Sequence, residues 1–87
     1  MDHYTTARGT VRVGQLYRDA RRTNVRTLRV EAIGRPWNDW KGVTHCSIDC
    51  LVIEQVADGV RTEPRRPTSM RATRLLSAEF VLVEEVS

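Results

Sequence analysis

Apolar and polar positions alternate with a period of two through several stretches of this chain, which is the spacing of a strand with one face buried. In Arg26-Thr27-Leu28-Arg29-Val30-Glu31-Ala32-Ile33 the pattern predicts Leu28, Val30 and Ala32 inward and Arg29 and Glu31 toward water. Thr44 to Val56 predicts the longest strand, with Cys46, Ile48, Cys50 and Val52 on one face. Leu51 and Ile53 add apolar positions to its other face, so that end is expected to be covered on both sides or kinked. Val11 to Tyr17 reads as a shorter strand with a bulge or sharp bend at Gly14 and with Val11, Val13 and Leu16 as core positions. Thr68 to Thr73 resumes the alternation with Met70 and Ala72 inward, and Phe80-Val81-Leu82-Val83 closes the series.

The intervening segments are polar or broken. Residues 1–9 carry no periodicity and are expected to be a flexible tail, leaving 10–87 as the folded domain. Arg18 to Val25 reads as an exposed connection. Asp58-Gly59 is a turn signal, and Val60 to Pro67, with Pro64 and Pro67, is expected to be a mobile link kept out of the sheet. Arg74 to Ala78 is too short for an independent helix and suits one 3₁₀ turn before the last strand. Five short strands with long excursions between them predict an all-β fold, a small five-stranded barrel closed on its own side chains.

Size and composition narrow the functions open to such a domain. Eighty-seven residues, 40% hydrophobic and 29% charged, make one small globular unit in which every core side chain counts. No apolar run approaches the roughly 20 residues of a membrane helix, and the N-terminus has no secretory pattern, so a cytoplasmic location is expected. Cys46 and Cys50 would lie roughly 13 Å apart along a strand, beyond disulfide reach, and read as small core hydrophobes. Alternation puts His45 on the face opposite Cys46, and a fourth ligand is missing, so neither zinc nor a Cys–His nucleophile is expected. A barrel of this size is filled by its own interior, so the reading is a non-enzyme without a cofactor.

What remains is the surface. Thirteen of the fourteen basic residues are arginine and the net charge is +3. Both tryptophans, Trp37 and Trp40, fall in the loop Gly34-Arg35-Pro36-Trp37-Asn38-Asp39-Trp40-Lys41-Gly42. They read either as anchors for a protein partner, flanked by Arg35 and Lys41, or as caps folded over an end of the core. Arg18, Arg21, Arg22, Arg29, Arg65, Arg66 and Arg71 would serve a nucleic-acid partner if they shared a face, with the tryptophans stacking on bases; otherwise they are solvated surface. A protein partner is the first expectation and nucleic acid the second. Leu51, Ile53, Val81 and Val83, pointing outward, would support a homo-oligomer.

The segments Val11-Arg12-Val13-Gly14-Gln15-Leu16-Tyr17-Arg18-Asp19 with Arg26 to Val30, and Thr68 to Ser77 with Phe80 to Glu84, resemble small uncharacterised proteins of actinobacteria and their phages. The strand order, loop placement and helical turn before the last strand resemble the Src-homology-3-like (SH3-like) barrel. The resemblance implies an actinobacterial or phage origin, and a host cytoplasm as the setting if the chain is phage-encoded. It implies no activity. The tryptophan loop and the long third strand depart from that pattern.

Overall fold

A computed structural model describes residues 1–20 and 23–84. The chain is all-β apart from one helical turn. In order, the strands are β1 (His3–Thr6), β2 (Gly9–Arg12), β3 (Leu16–Ala20), β4 (Asn24–Ile33), β5 (Trp37–Asn38), β6 (Thr44–His45), β7 (Ser47–Ala57), β8 (Val60–Thr62) and β9 (Arg66–Arg71), followed by α1 (Ala72–Leu75) and β10 (Phe80–Glu84).

The main sheet is antiparallel and runs β10-β3-β4-β7, with β8 and β9 following each other along the far edge of β7. Two hairpins, β1-β2 and β5-β6, stand outside it. The sheets do not close into a barrel, so the expected five-stranded closed ring is corrected to an open ladder. The core lies on one face of that ladder, where Leu28, Val30, Ile33, Ile48, Cys50 and Val52 are buried. Val11 from the N-terminal hairpin, Ala72 and Leu75 from α1, and Phe80 cover them, with Tyr4, Met70 and Leu76 packed at the margin. Of the core residues named from the sequence, Val11, Leu28, Val30, Cys46, Ile48, Cys50, Val52 and Ala72 are buried.

The differences have local causes. Residues 3–6, expected as an irregular tail, pair with 9–12 as β1. The strand expected over Val11 to Tyr17 breaks in two at Gly14, whose φ of 94° turns the chain between β2 and β3. That turn leaves Val13 exposed and Leu16 half-buried while Gln15 goes inside. The Gln15 side-chain oxygen accepts from the Arg12 amide (2.7 Å) and the Tyr17 hydroxyl (3.0 Å), which satisfies a polar group in a dry place.

Two bulges interrupt the β4-β7 ladder. Ile53 is the extra residue on β7, between the pairs Thr27↔Glu54 and Leu28↔Val52. Glu31 is the extra residue on β4, between Val30↔Cys50 and Ala32↔Asp49. The second bulge puts Ile33 opposite Ile48 in the core and leaves Ala32 exposed, the reverse of the simple alternation. Residues 60–67, expected outside the sheet, instead supply β8 and the start of β9. The register slips by one residue between Gln55↔Thr62 and Val52↔Arg66, and Arg65 takes a φ of 48° at the slip.

Of the segment Arg18 to Val25, expected as an exposed connection, residues 18–20 lie in β3 and 24–25 in β4. Asp19 is 2% exposed and accepts two hydrogen bonds from the Arg26 guanidinium (2.7 and 3.3 Å). The turn expected as 3₁₀ over 74–78 is instead an α-helical turn, arriving two residues earlier, over 72–75.

Candidate functional site

The β5-β6 hairpin grows out of the end of β4. Gly34 approaches β7 so closely that a Cβ there would sit 3.2 Å from the Ser47 carbonyl oxygen, to which the Gly34 amide donates at 2.9 Å. Cys46 Sγ, buried on the other side of the same crossing, lies 3.4 Å from the Gly34 carbonyl. This junction pins both feet of the hairpin to the sheet.

Asp39 organises the tip. Its Oδ1 accepts from the amides of Lys41 (2.8 Å) and Val43 (3.0 Å), its own amide donates to the Val43 carbonyl (3.0 Å), and its carbonyl accepts from the Gly42 amide (3.0 Å). Oδ2 accepts from His45 Nε2 at 2.8 Å. The His45 hydrogen bond, then the Val43 and Lys41 amides, hold the Asp39 carboxyl below its ordinary range. On the other side of the ring, His45 Nδ1 meets Arg71 Nη1 at 3.2 Å. A guanidinium can only donate, so Nδ1 accepts and the ring hydrogen sits on Nε2, facing Asp39. The row Asp39-His45-Arg71 thereby ties the hairpin tip to the end of β9.

Trp37 leans on this row. Its ring centroid is 5.4 Å from that of His45, and the Arg71 guanidinium carbon lies 5.7 Å from the centre of the indole, within cation–π range. It remains 42% exposed. Trp40 at the tip is 89% exposed, with Lys41 Nζ 5.1 Å from its ring centre. Neither tryptophan belongs to the buried core or packs at its margin, so the reading of them as core caps is corrected. Val43, on the same hairpin, is also exposed.

Of the four residues expected to bind a partner, the structure brings Trp40 and Lys41 together and sets Trp37 against Arg71, one of the arginines assigned from sequence to nucleic acid. Arg35 is exposed two residues before Trp37 and makes no ion pair with a described residue. Sequence reading missed Asp39 and His45. The signal was an aspartate between two tryptophans, followed by Lys41-Gly42, the pattern of a side-chain-capped turn.

Among the described residues, the remaining arginine candidates are divided between the two faces of the sheet. Register partners in an antiparallel ladder point to the same side. Arg18 and Arg29, opposite Thr27 and Leu51, lie on the solvent face of the sheet, while Arg66, opposite Val52, lies on the core side at the edge. Arg29 is engaged by Glu31 (2.7 Å), a hydrogen bond that also lowers the glutamate's pKa. Arg65 sits at the β8-β9 slip, and Arg21 and Arg22 lie outside the described residues. Arg26, Arg61 and Arg74 are paired with Asp19, Glu54 and Glu79.

Cys46 and Cys50 are buried free thiols. Burial, with the nearby charges of Asp49 and Glu31, pushes Cys50 up to about 12, and burial raises Cys46 as well. Among the described residues no cluster of histidine, cysteine, aspartate or glutamate could hold a metal ion. No described helix is long and apolar enough to cross a membrane.

Comparison with known proteins finds no matching family model, no similar curated protein and no similar solved structure.

Proposed function

We propose that this chain is a non-catalytic binding module whose β5-β6 hairpin docks on a protein partner, with Trp40 as the central anchor. The observation that carries this reading is a tryptophan 89% open to water on a turn that Asp39 holds with four local hydrogen bonds besides its link to His45. Burying an indole removes a large apolar area from water, and a turn already ordered before binding loses little further entropy. Aromatic residues of this kind dominate the energetics of protein interfaces.

The path β10-β3-β4-β7-β8/β9, with a helical turn before the last strand, supports an SH3-like arrangement as part of this proposal. An origin in an actinobacterium or its phage, with action in the cytoplasm of that cell, belongs to the same proposal. A nucleic-acid role ranks second, because the arginines fall on both sides of the sheet and several are neutralised by acids.

The test is capture from an actinobacterial lysate treated with nuclease. The expected result is a protein retained by the wild type and by a Val60→Ala control but lost with Trp40→Ala. Retention by Trp40→Ala, or loss of all captured protein after nuclease, overturns the reading.

A further inference from the structure

The charges around the two tryptophans are one-sided. Lys41 lies over Trp40, Arg71 over Trp37, and Arg35, two residues before Trp37 in the chain, is exposed and makes no ion pair with a described residue. The hairpin's one carboxylate, Asp39, has both oxygens engaged by its own turn and by His45. The surface therefore offers indole faces and three cations and no free anion of its own.

The cationic zone is also short. Arg71 pairs with Ser47 in the β7-β9 ladder, and the next pair on the same side is Asp49↔Ser69, where Asp49 also faces Ala32 beside the bulged Glu31. These two carboxylates rim a shallow depression of about 530 Å³ with Leu51, Pro67, Thr68 and Ser69. A long polyanion leaving the hairpin along this face would meet the Asp49 carboxylate within one strand repeat, about 7 Å, and then the Arg29–Glu31 pair, neutral overall, so the face offers no uninterrupted line of cations to a continuous phosphate backbone. A short segment with few carboxylates does not extend that far.

From this charge pattern, and resting on the reading of the hairpin as a protein-docking site, we infer that the partner presents a short acidic segment. An apolar or aromatic side chain of that segment packs on Trp40, and its flanking carboxylates face Arg35, Lys41 and Arg71. Arginine suits a carboxylate because its planar fork donates two parallel hydrogen bonds, and an indole beneath it restricts its orientation.

Tryptophan fluorescence of the full chain, titrated at low salt, tests this with three probes: a short acetylated peptide of glutamates around one phenylalanine, the same peptide with glutamine in place of glutamate, and oligothymidylate. The glutamate peptide should bind and weaken as salt rises, and Arg35→Gln/Lys41→Gln should weaken it about fivefold. Neither of those side chains makes a hydrogen bond or ion pair to a described residue, so folding is expected to be intact, checked by circular dichroism; Arg71→Lys should lose less affinity than Arg71→Gln. Equal binding of the glutamine peptide, tighter binding of oligothymidylate, no binding of the glutamate peptide, or indifference to the double variant each overturns the inference. If any of these occurs while Trp40→Ala still abolishes protein capture, the docking site stands and only the acidic character of its partner falls.

Discussion

Single residues carry two sorts of work in this molecule, and burial separates them. Leu28, Ile48 and Val52 sit fully inside with register partners on both sides, so Leu28→Ala should cost about 3 kcal/mol, read as a shift in the urea midpoint without a change in slope. Asp19→Ala should cost a similar amount, about 3 kcal/mol, because it leaves Arg26 without its partner at a largely buried site. Cys46 and Cys50 should not react with a thiol reagent at pH 8 in the native state and should both react in denaturant, since burial holds them protonated and covered. Rapid labelling of the native protein would show that this part of the core opens. These hydrophobic positions were legible in the sequence because period-two spacing is a direct image of the pleat. Gln15 and Asp19 were not, because a buried polar residue is recognised only through partners that the fold brings to it.

At the scale of elements, the β5-β6 hairpin depends on one charge. The Asp39 carboxyl is held below 3.8, the ordinary aspartate value, so its contribution is complete above that pH and is lost as pH falls through the lower value in the folded chain. The amide resonances of Lys41 and Val43 should therefore move together with a midpoint below 3.8; a midpoint at or above it would mean that the carboxylate is not favoured by these bonds. Asp39→Ala should speed hydrogen exchange at both amides while the β4-β7 ladder stays protected. The sequence indicated a loop rich in Gly, Pro, Asn and Asp, and correctly placed both tryptophans on it. It did not show a hairpin, because β5 and β6 are two residues each and lack any alternation to read. Their stability comes from Asp39, His45 and Arg71, and Arg71 is 26 residues beyond His45 in the chain.

Across the whole molecule the apolar interior occupies only part of an elongated body of 44 × 27 × 20 Å. Every buried position of β4 and β7 falls between residues 28 and 52, while 24–27, 53–57 and β8 are exposed or half-buried. Hydrogen exchange should divide the sheet accordingly, with the slowest amides at Val30, Ile48 and Cys50 and faster exchange through the β7-β8 turn. Uniform protection along β7 would contradict that division. The all-β class was legible from patterning alone. The number of strands was not, since the breaks at Cys46 and Arg65, unlike the bend that Gly14 signalled, divide runs that look continuous or structureless in the sequence, and the open ladder follows from pairings that no local signal encodes.

The bulges at Glu31 and Ile53 bear on how the chain can change its length. Each is the one residue at its place without an opposite number, so a chain lacking Glu31 can still set Val30 against Cys50 and Ala32 against Asp49, keeping Ile33 inside. The same holds for Ile53 between Thr27 and Leu28 and their partners. Excision at either site should give a straighter, less twisted ribbon that still folds, whereas excision of Arg29 brings Leu28 and Val30 together on opposite sides of the pleat. Natural shortening of this long hairpin has two positions at which a single codon can be dropped without turning the protein inside out.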